Sequence, residues 1–384
     1  MVNTHDLQWM DLALRLAAHG LGRTGDNPSV GCVIVRETSD GMEVLGRGRT
    51  GDGGTPHGEV RALAMVGNAA RGATLYVTLE PCSHFGKSPP CADAIIEAGI
   101  TRVVVGVMDP NPKVSGDGVA RLKEAGIVVE TGVLEDEASW VTAGHILRIT
   151  ENRPFVQMKI ATGADGLIAP GDGDPVWVTG DLARRRGHLL RAQADAILVG
   201  IGTVEADDPS LDCRLPGLAP YSPMPVVLDT HLRIDPECRL VSNSGNRPLH
   251  IFCGSFADDG DIQTRADKLR GKGVQIRQAG VTVDGRLNPR DVLGGLRDIG
   301  VTRLMIEGGP SVCKSFHDAE LIDEVVVFRG ELPLGEKGLL PVVESGLEVF
   351  DDPEKWQLQS EFSCGGDTMM VKRHRKTLAH LAQN

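Results

Sequence analysis

At 384 residues the chain exceeds what one hydrophobic core ordinarily serves, which predicts two domains of common size. Its net charge of -12 and its evenly mixed charges argue against a disordered chain and against general affinity for the phosphate backbone of nucleic acid. The longest apolar stretches, such as 196–199 and 303–306, are strand-length and too short for a membrane span, and Met1 to Asp6 lacks the basic and apolar regions of a signal peptide. A cytoplasmic location is expected, and the eight cysteines then read as thiols or metal ligands instead of disulfides. Six of them, Cys32, Cys213, Cys238, Cys253, Cys313 and Cys364, stand singly and are assigned to packing.

In chain order, Leu7, Met10, Leu14, Ala17 and Leu21 recur on one helical face, and the helix should stop near Gly20 and Gly22. A buried strand over 30–35 pairs with one over 43–47 through a turn at Asp40-Gly41. From His57 the pattern predicts a helix, a strand over 74–79, a helix over 91–98, a strand over 102–107, a helix over 118–125 and a strand over 127–131. Strands alternating with helices after a hairpin indicate a layered α/β domain covering residues 1–150. Around Glu151-Asn152-Arg153-Pro154 the pattern resets. A second α/β domain, 154–375, is expected to carry strands at 155–161, 196–199, 225–228, 249–253, 303–306 and 324–328, with helices at 182–192, 290–298 and 311–319. The basic run Lys372 to Lys376 reads as a solvated strand end and tail.

The most specific signal is the ordered set His57-Gly58-Glu59, Pro81-Cys82 and Pro89-Pro90-Cys91. One imidazole and two thiolates satisfy three tetrahedral positions of zinc and leave the fourth for water, which separates a catalytic site from a closed structural one. Cys91 is placed at a helix N-terminus, where the macrodipole favours a thiolate. Glu59, two residues from a ligand, is placed to take a proton from water and return it to a departing amine. This is the logic of the His-x-Glu plus Pro-Cys-x-x-Cys zinc deaminases, except that eight residues, not two, separate Cys82 from Cys91. The competing reading is a zinc that staples a loop, or three side chains that never meet.

Together with Asn27-Pro28-Ser29-Val30-Gly31, Thr78-Leu79-Glu80-Pro81-Cys82-Ser83-His84 and Asp109-Pro110-Asn111-Pro112, these residues resemble the bifunctional deaminase-reductase family of riboflavin biosynthesis, and the resemblance extends over nearly the entire chain. It implies a cytidine-deaminase-like layered α/β domain followed by a dihydrofolate-reductase-like α/β domain, with Zn2+ and NADPH as cofactors. It also implies a pyrimidine ribose phosphate substrate, deaminated first and then reduced from ribosyl to ribityl. Asn27 and His84 are candidates for holding the pyrimidine, or serve as turn-forming and loop-fixing residues. Gly58 stands where the family usually has Ala and would loosen the helix start by up to about 1 kcal/mol; Ser29 replaces a commoner Asn.

In the second half, Gly200-Ile201-Gly202 lacks the third glycine of a dinucleotide fingerprint, and that reading is discounted. Glu307-Gly308-Gly309-Pro310-Ser311 lets backbone N–H groups approach a phosphate at a helix start, or is a simple strand-to-helix turn. The resemblance implies that Thr162, Trp177, Thr203, Asp207, Thr230 and the run Gly309, Pro310, Ser311, Val312, Cys313, Lys314 and Ser315 face NADPH. It likewise implies that Arg191, Leu211, Arg214 and Glu307 face the substrate, the two arginines as phosphate clamps. Three departures, Pro175, Asp212 and Gly163, stand where Ser, Thr and Ser are common; they shift affinity or mark a decayed reductase. The alternatives are therefore a deaminase with an inactive second domain, and a pyrimidine-phosphate-binding module with structural zinc. Neither a nucleic-acid nor a membrane partner is expected, and a homo-oligomer is compatible with the sequence.

Overall fold

The computed structural model describes residues 4–84, 89–112, 114–168, 177–255 and 260–383. Two compact units emerge, one of residues 1–153 with 378–384 and one of residues 154–377. Among the described residues no helix is long and apolar enough to cross a membrane.

The first unit runs α1 (Thr4–Ala18), β1 (Gly31–Thr38), β2 (Gly41–Arg49), α2 (Gly58–Val66), β3 (Thr74–Leu79), α3 (Cys91–Glu97), β4 (Arg102–Val107), α4 (Asp117–Glu124), β5 (Val128–Thr131), α5 (Glu135–Val141) and α6 (Ala143–Thr150). Its sheet has the order β2-β1-β3-β4-β5, antiparallel through β1 and parallel from β3 onward. The apolar runs of β3 and β4 are buried almost throughout, as expected of central strands covered on both faces. The expected helical stripe needs one correction. Leu7 is 42% exposed and Asp6 is fully buried in its place, because its carboxylate accepts both nitrogens of the Arg102 fork at 2.7 and 3.0 Å and the Tyr76 hydroxyl at 2.8 Å. The ion pair, not the apolar periodicity, sets the rotation of the helix start, and α1 ends before Leu21.

The second unit contains β6 (Phe155–Thr162), α7 (Asp181–Ala192), β7 (Ala196–Gly200), α8 (Ile201–Asp207), β8 (Met224–Leu228), α9 (Arg239–Ser242), β9 (His250–Cys253), α10 (Gly260–Gly271), β10 (Gln275–Gln278), α11 (Pro289–Asp298), β11 (Arg303–Ile306), α12 (Pro310–Asp318), β12 (Glu324–Arg329), β13 (Trp356–Cys364) and β14 (Asp367–His374). The nine strands are ordered β10-β9-β8-β7-β11-β6-β12-β14-β13, parallel except for the terminal hairpin. Every expected strand is present. The additions, β10, β13 and β14, lie toward the sheet's margins, where one face stays solvated and sequences such as Gln275-Ile276-Arg277-Gln278 carry little apolar signal. The basic run holds the expected strand end, β14 closing at His374, but a helix, α13 (Arg375–Leu381), follows in place of a tail. All six cysteines assigned to packing are buried.

Candidate active sites

In the first unit the chemistry is assembled from three element ends. His57 caps α2 with an extended backbone, Cys82 follows β3, and Cys91 is the first residue of α3 after Pro90. Their donor atoms lie within 4.8 Å of one another, with His57 Nδ1 3.3 Å from Cys91 Sγ and 3.7 Å from Cys82 Sγ. Among the described residues this is the one such cluster of three His, Cys, Asp or Glu donors. The Cys91 backbone N–H donates to Cys82 Sγ at 3.3 Å, and hydrogen bonding from Cys91 pulls the Cys82 thiol well below its ordinary value. Glu59 is 3% exposed, and its Oε2 is buried with no hydrogen-bond partner. Burial pushes its carboxyl up, against the opposing pull of His57. A soft N/S donor set beside an unsatisfied buried carboxylate fits zinc together with a proton-transfer group.

Gly58 has a structural reason that its helix propensity hides. A Cβ there would lie 2.6 Å from the Val30 carbonyl oxygen, so the residue lets the start of α2 press against β1. Glu80 holds the neighbouring loop from within: its two oxygens accept backbone N–H bonds from Gly116 (3.0 Å), Val119 (3.1 Å) and Asp109 (3.3 Å). Asn27 is half-buried and donates to the Gly54 carbonyl at 3.4 Å, on the loop leading to His57. His84 is exposed, and 85–88 beyond it lie outside the described residues.

The second unit carries a cleft of about 690 Å³ at the carboxyl ends of β8, β7, β11 and β6. Thr203, Asp207, Thr230, Gly309, Pro310, Ser311, Val312, Cys313, Ser315 and Glu307 all line it. Six residues expected to face the cofactor or the substrate, Thr162, Trp177, Lys314, Leu211, Arg191 and Arg214, are not among those lining it. Thr162 is fully buried with an unpartnered hydroxyl, Trp177 is 68% exposed under the Arg184 guanidinium, Lys314 pairs with Asp318 at 3.0 Å, and Leu211 is buried. Pro175 lies outside the described residues.

Arg191 is engaged differently from a free phosphate clamp. Its fork grips Glu307 at 2.7 and 2.9 Å, and Nη1 donates to the Asp212 carbonyl at 3.0 Å. Lys159 Nζ adds a contact to Glu307 at 3.7 Å. Burial alone would raise the Glu307 carboxyl, but Arg191 and Lys159 outweigh it and hold it at about 2. Arg214 is the more available cation, with Asp212 at 3.6 Å. Asp212 also accepts from Ser210 Oγ at 2.7 Å, so its charge is engaged within the loop. Burial raises Asp207. Gly163 has no room for a serine: a Cβ would meet the Leu332 carbonyl at 2.8 Å.

Two cleft residues, Arg233 and Arg286, had no place in the sequence reading. Arg233 follows Thr230 by three residues in a turn, and Arg286 sits in a hairpin closed by a bridge between Val281 and Leu287. Their signal was an isolated arginine in a loop, which is common.

With this geometry in place, the comparisons decide the family. Residues 3–107 match the model for the cytidine and deoxycytidylate deaminase zinc-binding region, and residues 154–370 match the RibD C-terminal domain. The riboflavin biosynthesis protein RibD of Aquifex aeolicus is 40% identical over 351 residues, covering 90% of this chain and 94% of that protein. The chain belongs to the RibD family. Among solved structures, RibD of Acinetobacter baumannii, form 1, is 32% identical with a TM-score of 0.80, covering 96% of this chain and 98% of that one. The Thermotoga maritima structure titled diaminohydroxyphosphoribosylaminopyrimidine deaminase/5-amino-6-(5-phosphoribosylamino)uracil reductase is 31% identical with a TM-score of 0.76, at the same coverages. The chain is thus a bifunctional enzyme of riboflavin biosynthesis, a cytidine-deaminase-like zinc domain followed by a dihydrofolate-reductase-like domain that uses NADPH.

Proposed function

We propose that residues 1–150 deaminate 2,5-diamino-6-(5-phosphoribosylamino)pyrimidin-4-one and that residues 154–375 reduce the ribosyl group of the product to ribityl. The observation that carries the first half is the convergence of His57, Cys82 and Cys91 beside an unsatisfied buried Glu59. Zinc, when bound by those three donors, supplies a polarised water as nucleophile at neutral pH. Glu59 accepts the proton released as that nucleophile attacks the amino-bearing ring carbon, then delivers it to the departing nitrogen, which leaves as ammonia. Burial suits it to both tasks, because a raised carboxyl pKa narrows the gap between taking and giving a proton. Asn27 and His84 are assigned to the pyrimidine.

For the second half, NADPH supplies the hydride that reaches C1 of the opened sugar, and the protein's work is orientation. Adjacent strands lie about 4.8 Å apart, so β6 and β8, three steps apart in the sheet, are separated by roughly 14 Å. That span orders the cleft. Lys159 on β6 and Glu307 after β11, with Arg191 behind it, mark the substrate end, and Leu211 and Arg214 belong to the loop there. Thr230 and Arg233 follow β8, Arg286 donates to the Ser311 carbonyl at 3.4 Å, and the three are assigned to the cofactor's 2′-phosphate. Gly309 to Ser315 at the start of α12, with Thr203, serve the pyrophosphate. Thr162, Trp177, Asp207 and Lys314 remain assigned to the cofactor, with Asp207 as a proton source.

The acidic balance and the small cleft support small-molecule substrates over nucleic acid, in the cytoplasm. The test is NADPH oxidation by the zinc-loaded protein given the deaminated uracil phosphate. Turnover is expected; ammonia release from the aminated precursor without NADPH loss here would leave a deaminase with an inactive second domain.

A further inference from the structure

The segment after α8 has an unusual backbone. Asp208 and Leu211 both adopt left-handed conformations, at φ 40° and 49°, although neither is glycine. Such a segment persists only when its surroundings over-determine it. Part of the restraint comes from two arginines that bind three consecutive carbonyls. Arg247 donates Nη2 to Ser210 O and Nη1 to Leu211 O, the latter at 3.1 Å, while Arg191 donates to Asp212 O at 3.0 Å. Arg191 reaches the cleft through Glu307, whereas Arg247 comes from the stretch between α9 and β9.

Packing anchors Leu211, whose side chain is buried with Val204, Val227 and Leu232, but beside Ser210 lies a pocket of about 330 Å³ bordered also by Arg239 and Arg247. Asp208 supplies another anchor, accepting the Arg239 backbone N–H at 2.8 Å. Arg247 does not line the cleft.

We propose that Arg247 is a positioning residue of the reductase: by holding the Ser210 and Leu211 carbonyls it fixes the 208–214 segment that presents Arg214 to the pyrimidine phosphate. The inference rests on the assignment of that segment to the substrate. A planar fork reaches two adjacent carbonyls, whereas an ammonium is a single point of charge.

The test uses the full-length, zinc-loaded protein and its Arg247→Lys and Arg247→Gln variants, with NADPH oxidation measured while the deaminated pyrimidine phosphate and NADPH are varied separately. Arg247→Gln is expected to raise KM for the pyrimidine phosphate roughly tenfold, while KM for NADPH and ammonia release from the aminated precursor change less than about twofold. Arg247→Lys should fall between. If Arg247→Gln does not fold, Arg247→Lys alone carries the test, through the same split between the two KM values. An unchanged KM, or equal increases for both substrates, would overturn the proposal. Absence of NADPH oxidation by the unaltered protein would instead overturn the reductase reading beneath it.

Discussion

The two units solve the same problem, holding polar groups where solvent has been removed, with opposite means. In the first, the reacting groups sit on the ends of regular elements: His57 caps a helix, Cys91 begins another, and the anion Glu80 gathers backbone N–H groups of the adjoining loop. In the second, Lys159 on β6, Arg191 on α7 and Glu307 past β11 are joined by a loop, 208–214, and cations do the gathering there: Arg191 and Arg247 bind its successive carbonyls. Element ends are fixed by the fold itself, whereas a loop keeps its shape only while its side-chain restraints hold. Substitutions in the first unit should therefore act on chemistry, and those in the second on affinity and stability.

The largest expected effect breaks that contrast on the side of chemistry. Glu59→Gln should lower ammonia release about a thousandfold with zinc content unchanged, and should leave NADPH oxidation of the deaminated substrate intact. Retained deamination would refute the proton shuttle. Next, Glu307→Gln removes one partner of the fork on Arg191 and should destabilise the second unit by about 3 kcal/mol, read from its denaturation midpoint, without moving deaminase activity. The pH dependence sharpens this. Glu307 is held below its unfolded value of 4.5, so its stabilisation is fully present above that pH and disappears as pH falls toward 2. The stability advantage of the unaltered protein over Glu307→Gln should be flat from pH 7 to about 5 and shrink below; a flat difference down to pH 3 would contradict it.

A smaller effect is expected at the other end of the cleft. Arg233→Ala or Arg286→Ala should cost roughly tenfold in kcat/KM with NADPH and almost nothing with NADH, because only the former carries the 2′-phosphate. Equal losses with both would remove that assignment. The smallest is Gly58→Ala. Helix propensity favours Ala by about 1 kcal/mol, but the crowded Val30 carbonyl should reverse the sign and leave a net loss of about 1 kcal/mol in stability.

The same contrast explains what could be read from the sequence. Metal donors sit close together in the chain or at strand and helix boundaries, and their residue types are uncommon enough that His57, Glu59, Cys82 and Cys91 stand out without any coordinates. The buried strands announce themselves through continuous apolar runs. What stayed hidden depends on partners distant in sequence. Nothing near Asp6 shows that Arg102 will bury it, and nothing near Arg191 shows that Glu307, over a hundred residues away, will occupy its fork. Edge strands with solvated faces, such as β10, also leave too few apolar positions to declare themselves.

The central claim is that one chain performs two successive reactions, and stoichiometry tests it most directly. The zinc-loaded protein is given the aminated pyrimidine phosphate and excess NADPH, and ammonia and NADPH are followed together to completion. One NADPH consumed for each ammonia released, with ammonia leading in time, is the predicted result. Ammonia released with NADPH untouched, or NADPH consumed before any ammonia appears, would contradict the account.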